Sequence, residues 1–549
     1  MPSLFPQTSG KAEYGMAKRP NFILFITDQQ RVNHLGCYGN PVLKTPAIDA
    51  LARKGTRFDR FYVTNPACMP NRAAMITGRT SSVNGVRSNG IPLSLRAVTY
   101  TQILRAGGYH TAAVGKIHLQ NMSPWKAVAK RPDPGNHQPP PPGLDEAVIE
   151  DLSHPLYNQE TALAWEDPEH DLKLPYYGFE HVDLTAMHCD QVHGHYSRWL
   201  EARHPGSKAL IGSENALPWD GGMSDFQAWR TRVPEELYST FYIRDHAEAF
   251  LRSRATGDDD RPFFLQCSFN DPHHPFTPPG RYFDLYNPAD VDLPPSFNLR
   301  GNDLPEPVRL LREARDSGEQ DRNSWIAQAV TEADVRQAIA LTYGSITMID
   351  DAVARIMQVL GETGLDRDTV VMFTSDHGDF MGDHQLMLKG PMHYDGLVRV
   401  PFIYSDPALE GQQQAQTASL GSTIDISATV LDRAGLAPFN GFQGTSLLGA
   451  VTGAAPDRDE VLIEEDNQRA FLGFKEPVRL RSLVTQRYRL SVYRGAARGE
   501  LYDLQEDPLE IRNLWSDPEH AQIRRDLTER LMQRILRMQD TSPIATGQA

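Results

Sequence analysis

An α/β fold is expected: a large, mostly parallel sheet flanked by helices, then a smaller C-terminal α+β domain containing an antiparallel sheet. Three observations predict it. Short apolar runs of strand length alternate with amphipathic helical stretches through the first 455 residues, the pattern of strands and crossover helices. Asp28, Lys116, Asp271 and Asp376 closely follow such runs, where parallel strands would reach the ligand-binding edge of a sheet. Beyond about residue 455 the helical period gives way to consecutive strand-like runs closed by one helix. The domains expected are therefore 1–455 and 456–549, with a substrate-side insertion at about 120–240.

Taken in order, residues 22–27 (FILFIT) read as a buried strand ending at Asp28. Residues 101–106 read as a helix stopped by Gly107-Gly108, and 111–114 as the next strand. Residues 131–143 hold six prolines in thirteen positions and must form an irregular loop within the insertion. A helix over 235–253 leads to a strand at 262–269 (PFFLQCSF). Between 334 and 360, Val335, Ile339, Ile346, Ile349, Val353, Ile356 and Leu360 recur at helical spacing. Gly364 lies just past that helix, and 369–374 (TVVMFT) is a strand running into Ser375-Asp376. Strands follow at 461–464, 478–484, 488–492 and 500–504, then a helix at 520–538.

With 40% apolar and 23% charged residues, the 549-residue chain can build a sizeable core. Its 55 Lys and Arg against 70 Asp and Glu give a net charge of −15, which argues against nucleic acid or an acidic membrane as partner. A small anionic substrate stays compatible with a local cationic pocket. No run approaches the roughly 18–20 apolar residues of a membrane span. The first twenty residues carry Lys11, Glu13, Lys18 and Arg19 and no apolar stretch of signal-peptide length, so a soluble cytoplasmic protein is expected. Four cysteines, Cys37, Cys68, Cys189 and Cys267, are too few for a disulfide framework.

The most specific local signal is Cys68-Met69-Pro70-Asn71-Arg72, followed by Thr77-Gly78-Arg79. A cysteine before a helix is by itself usually a small buried hydrophobe, but here Pro70 suits a first helical turn and Arg72 sets a fixed cation one turn from the thiol. Asp28 and Asp376 alone could be turn formers or helix caps, and Lys389 a solvated side chain. His181, His188, His193 and His195 with Cys189 fit no standard zinc spacing and read as a rim loop near the substrate.

Together these residues resemble the sulfatases of the alkaline phosphatase superfamily, whose C-x-P-x-R motif directs oxidation of the cysteine to formylglycine. The fourth motif position, usually Ser or Ala, is Asn71 here. Where the family often shows two adjacent aspartates after the first strand, this chain has Asp28-Gln29, and Gln29 instead resembles the subgroup of phosphonate monoester hydrolases and choline sulfatases. Ser375-Asp376-His377-Gly378 resembles the second metal motif, with Lys389 thirteen residues after Asp376. Gly115-Lys116-Ile117-His118 resembles the G-K-x-H element, and Pro272-His273-His274-Pro275-Phe276 the substrate-side histidine loop. Asn89 falls where that subgroup has an active-site asparagine, and Glu500-Leu501-Tyr502-Asp503-Leu504 through Asn513-Leu514 resembles the C-terminal signature. The matches span residues 21–514 in family order.

The resemblance implies an alkaline phosphatase-like fold and one divalent metal ion on Asp28, Gln29, Asp376, His377 and an oxygen derived from Cys68. Oxygen-rich ligation suits Ca²⁺ or Mg²⁺, and the imidazole shifts the balance toward Mn²⁺, so Ca²⁺ or Mn²⁺ is expected. It also implies a formylglycine-generating enzyme as a maturation partner and a small anionic ester as substrate. In the implied roles the hydrated formylglycine is the nucleophile, Arg72 and Lys116 stabilise charge, Lys389 and His273 serve the leaving oxygen, and His118 removes the proton that releases sulfate. A phosphonate monoester or phosphodiester hydrolase using the same site is the alternative within the fold. A two-metal phosphatase would need a Ser or Thr nucleophile and a second ligand set, and a non-catalytic binding protein would leave Cys68 unconverted. The resembling subgroup is often oligomeric.

Overall fold

The computed structural model describes residues 19–548 except 124, 126–132, 142, 149, 222, 224–226, 300–303, 469 and 471. Its main sheet has nine strands in the spatial order Gln416–Thr417, Thr56–Phe58, Phe402–Ser405, Thr369–Ser375, Asn21–Thr27, Phe263–Ser268, His110–Gly115, His181–Ala186 and His193–Gly194. The five from Thr369–Ser375 to His181–Ala186 are all parallel, while Phe402–Ser405 and His193–Gly194 pair antiparallel with their neighbours.

Both faces of the sheet are covered, which is why its central strands are continuous apolar runs. Successive side chains of Asn21–Thr27 alternate between two cores. Phe22, Leu24 and Ile26 pack with Met69, Ala73 and Ile76 of the helix Cys68–Thr77. Ile23 and Phe25 pack with Ile346, Ile349 and Val353 of the helix Glu332–Glu362. That long helix starts at a capping box in which Thr331 and Asp334 satisfy each other's backbone N–H groups. All seven apolar positions spaced along it in the sequence are buried.

The register lets the site form. Thr27 lies beside Ser375, and Ile26 beside Ser268, so three chain segments leave the sheet at one level. Backbone bonds continue past the strand ends: Asp376 N donates to Thr27 O (3.1 Å), Asp28 N to Asp271 O (3.1 Å) and Lys116 N to Ser268 O (2.8 Å). Gly115 needs to be glycine, because it has φ +107° and a Cβ there would lie 1.9 Å from Ser268 O.

Near the C-terminus, Glu460–Asp466, Arg479–Thr485, Tyr488–Tyr493 and Glu500–Asp503 form a four-stranded antiparallel meander, followed by the helix Ala521–Arg537. One face of this sheet gives Val461, Ile463, Val484 and Tyr502 to the large core, while Leu462, Leu483, Leu490 and Leu501 pack on Leu527 and Leu531 of the helix. Within the segment expected as an insertion, His181–Ala186 joins the main sheet, so that stretch belongs to the architecture. The described part of the proline-rich loop is exposed and irregular.

Candidate active site

Four side chains from two adjacent strand ends form the floor. Asp28 and Gln29 follow one strand, Asp376 and His377 the next, and all four are buried. Gln29 takes φ +65°, and its N–H donates to Asp376 Oδ1 (3.2 Å). Its side-chain nitrogen donates to Asp379 Oδ2 (2.6 Å), which leaves Oε1 facing Lys389 Nζ at 3.4 Å. His377 Nδ1 lies 2.8 Å from Gly378 O. That contact orients the ring so that Nε2 faces the floor. Ligand atoms of Asp28, Cys68, Asp376 and His377 lie within 4.8 Å of one another.

Cys68 is delivered by the first turn of Cys68–Thr77, a helix buried along its whole length. Pro70 is tolerated in that turn because its missing N–H would have had no intrahelical acceptor. Cys68 Sγ sits 3.0 Å from His377 Nε2, 3.2 Å from Lys389 Nζ and 3.7 Å from Asp28 Oδ1. One turn on, Arg72 Nε donates to Asp376 Oδ2 (2.7 Å) and Nη1 to Ser268 Oγ (2.8 Å) and Lys116 O (2.9 Å), while its buried Nη2 has no hydrogen-bond partner among the described residues. Asn71, the unusual motif member, braces the helix. It accepts from Thr423 Oγ1 (2.7 Å) and Thr64 N (3.1 Å) and donates to Asp376 O. Asn89 lies exposed at the rim, where its Oδ1 accepts from Met69 N at 3.2 Å.

The walls are cationic and imidazole-rich. Lys116 Nζ contacts Asp28 Oδ2 and lies 2.7 Å from His188 Nε2. Lys389 Nζ is 3.0 Å from His273 Nε2 and 3.1 Å from His377 Nε2. The rings of His188 and His273 stack with centroids 3.7 Å apart. His118 is buried at φ +56°, and its Nδ1 has no hydrogen-bond partner among the described residues.

Burial opposes ionisation of Asp28, but the cations Lys116 and Arg72 beside it outweigh it and hold the carboxyl well below its usual value. Burial and Asp28 push the Cys68 thiol up; Lys389, His377 and Lys116 pull it further down, leaving a thiol of lowered pKa. His118 is held well below its ordinary value by burial, then by Lys116 and Arg72, so its imidazole is neutral. Burial with Lys389 and His274 does the same to His273, and burial with His273 and Lys116 to His188. The donor set of two carboxylates, one amide oxygen and one imidazole fits a hard divalent cation, and the orphaned Arg72 Nη2 offers a donor for an anionic group.

The structure gathers Asp28, Gln29, Cys68, Arg72, Lys116, His118, His273, Asp376, His377 and Lys389 around one floor, with Asn89 at its edge. Asp271, the remaining strand-end acid, turns away: its carboxylate accepts from Thr240 Oγ1 at 2.8 Å and faces Tyr238 Oη at 3.4 Å. The histidine-rich group breaks up. His188 enters the site, whereas His181 and His195 approach Asp183 and Asp171, and His193 approaches Met122 O. Sequence reasoning also missed Glu160. This fully buried carboxylate accepts from three successive N–H groups, His118 (2.8 Å), Leu119 (3.0 Å) and Gln120 (3.2 Å), and from Tyr176 Oη (2.7 Å). It fixes the turn that aims His118.

Fold and site together define a class, the ester hydrolases of the alkaline phosphatase superfamily. Within it, residues 20–436 match the Sulfatase family model, and the chain belongs to the sulfatase family. Residues 382–537 also match the model described as N-sulphoglucosamine sulphohydrolase, C-terminal. The chain is similar to the arylsulfatase of Clostridium perfringens, 28% identical over 520 residues and 92% of each chain. It is 25% identical to the choline-sulfatase of Rhizobium meliloti over 509 residues, 91% of this chain and 83% of that one. Among solved structures, the phosphonate monoester hydrolase of Agrobacterium radiobacter superposes with a TM-score of 0.71 at 27% identity, covering 95% of this chain and 97% of that one.

Proposed function

We propose that this sulfatase hydrolyses sulfate monoesters with residue 68, in its formylglycine form, as nucleophile. The observation that carries the reading is the placement of Cys68 at the head of a buried helix, between the Asp28–His377 floor and Lys389. Formylglycine supplies, as its hydrate, one hydroxyl that attacks sulfur and a second whose deprotonation expels sulfate; a serine has no second hydroxyl. Asp28, Gln29, Asp376 and His377 would hold a divalent ion, Ca²⁺ or Mn²⁺, which would supply Lewis acidity beside residue 68 and offset negative charge there.

The chain's own residues do the rest. Arg72 and Lys116 stabilise negative charge on the transferring group. Lys389, paired with His273, protonates the departing alkoxide or phenoxide, and neutral His118 takes the proton that ends the cycle. Asp379 and Glu160 hold Gln29 and His118 in left-handed backbone conformations that isolated residues would leave.

A phosphonate monoester or phosphodiester reading shares this site and is favoured by Gln29, by Asn89, by His377 where many arylsulfatases carry Asn, and by the likeness to the Agrobacterium structure. Sulfate esters and phosphonate monoesters are both monoanions and suit a floor with one ligand set, which places phosphate monoester dianions last. Lys116 and His118, which resemble the sulfatase element, place sulfate first. The test is a kcat/KM panel of sulfate, phosphonate and phosphate esters sharing one phenol. A sulfate ester leading supports the reading. A phosphonate monoester ahead by about tenfold, roughly 1.4 kcal/mol in the transition state, transfers it to the second.

A further inference from the structure

The hydrolytic chemistry leaves one aromatic surface unused. Trp325 is half-buried, and its ring centroid lies 5.0 Å from that of His274, 6.0 Å from His188 and 6.2 Å from His273. Trp125 stands next to it, with centroids 5.9 Å apart and planes inclined at 57°, and is 62% exposed. Two indoles from segments 200 residues apart thus meet where the histidine wall opens outward.

The backbone that carries Trp325 is tied to the backbone of Lys389. Strand Gln328–Ala329 pairs antiparallel with Leu386–Met387, and Ala327 N donates to Lys389 O at 2.8 Å. Trp325 is therefore fixed relative to Lys389 and to His273, the pair assigned above to the departing oxygen. What lies on that side of the scissile bond is the organic half of the ester. A large indole face kept partly in water beside a polar site offers π surface and dispersion, which a flat ring in an offset or edge-on stack exploits.

We propose that Trp325, with Trp125, is the leaving-group platform of this enzyme and selects esters of planar aromatic alcohols. The proposal rests on the leaving-group side assigned under Proposed function. The chemical class is a phenol-type alcohol, recognised by stacking. Neither indole touches the reacting atoms, so both are specificity residues whose removal acts on binding of the aryl group.

The experiment compares the mature wild-type enzyme with Trp325→Ala and Trp325→Phe on 4-nitrophenyl sulfate, a short alkyl sulfate and glucosamine 6-sulfate. Binding of 4-nitrophenol is measured separately by equilibrium dialysis. Trp325→Ala is expected to lower kcat/KM for the aryl ester about tenfold, mostly through KM, and to weaken 4-nitrophenol binding in parallel. Trp325→Phe restores most of both, and the alkyl ester changes less than about twofold. Equal losses on all three esters, or unchanged phenol binding, overturn the platform. The largest loss on glucosamine 6-sulfate overturns it in favour of a carbohydrate surface. Should the wild type cleave phosphonate monoesters and no sulfate, the sulfate reading fails, while phenol binding and the aryl-against-alkyl contrast on phosphonates still decide the platform.

Discussion

The floor of the site and its rim are built in opposite ways. Asp28, Gln29, Asp376 and His377 stand on two neighbouring strands whose backbone bonding continues past their ends. His118, His188 and Trp325 stand on loops, each held from afar: His118 by Glu160, His188 by its stack on His273, and Trp325 by the strand beside Lys389. The floor is positioned by the sheet itself and, in the proposed reading, holds the metal ion beside residue 68. The rim depends on contacts between distant segments and, in the proposed reading, serves the last proton transfer through His118 and the choice of ester through Trp325. Damage to the floor should therefore abolish function, while damage to a rim brace should slow one step.

The largest expected effect follows from Asp376→Ala. It removes a floor oxygen and leaves Arg72, 3% exposed, without its 2.7 Å partner. Removing one partner of a buried ion pair costs about 3–5 kcal/mol. Asp28, 3.8 Å from Arg72 Nη2, offsets part of that, and the variant should still melt below the wild type as well as lose activity. Elemental analysis should find metal far below one ion per chain. Stoichiometric metal with intact stability would place the ion elsewhere and dissolve the distinction between floor and rim.

Glu160→Gln should do less. It turns an acceptor into a donor facing backbone N–H groups, at a cost of about 1–3 kcal/mol. The first turnover should keep its rate while steady-state kcat falls about tenfold or more, because His118 acts in the second half of the cycle. In a double-mutant cycle with His118→Ala the two losses should not add. Additive losses, or a fall in the first turnover, would make Glu160 a merely structural residue.

The smallest effect concerns Asp271, whose burial pushes its pKa up to about 7 from 3.8. A carboxyl with a raised folded-state pKa binds its proton more tightly folded than unfolded. Its contribution to stability is therefore most favourable below the unfolded value and is lost as pH rises from about 4 to about 7. Asp271→Asn should flatten the stability curve across that window and gain about 1–2 kcal/mol relative to the wild type at pH 8, read from urea midpoints. An unchanged pH dependence would show that Asp271 is ionised in the folded protein.

The same division explains what could be read in the sequence. The long helix, the central strands and the C-terminal meander were legible because each is a continuous apolar run or a clear period, and the structure moves their ends by only one or two residues. Thr56–Phe58 and Phe402–Ser405 were not; they are three and four residues long, too short to show a period. His181–Ala186 alternates polar and apolar residues amid a loop-rich stretch and passed as insertion. Floor residues sit in contiguous motifs, so Asp28-Gln29 and Asp376-His377 stood out. Glu160 is 42 residues from His118 and His188 is 72 from Lys116, and nothing local separates them from solvated side chains. Asn71, a departure from the usual motif, proved to be a buried brace whose partners lie on three other segments.

The central claim is that residue 68 works as formylglycine on this floor. The direct measurement is the mass of the peptide spanning Cys68 together with time-resolved turnover of 4-nitrophenyl sulfate by wild type and Cys68→Ser. The account predicts an aldehyde or its hydrate at position 68 in active enzyme. It predicts that the folded serine variant releases at most one equivalent of phenol and then stops, with sulfate retained on the protein. Sustained turnover by Cys68→Ser, or full wild-type activity with an unmodified thiol, would contradict it.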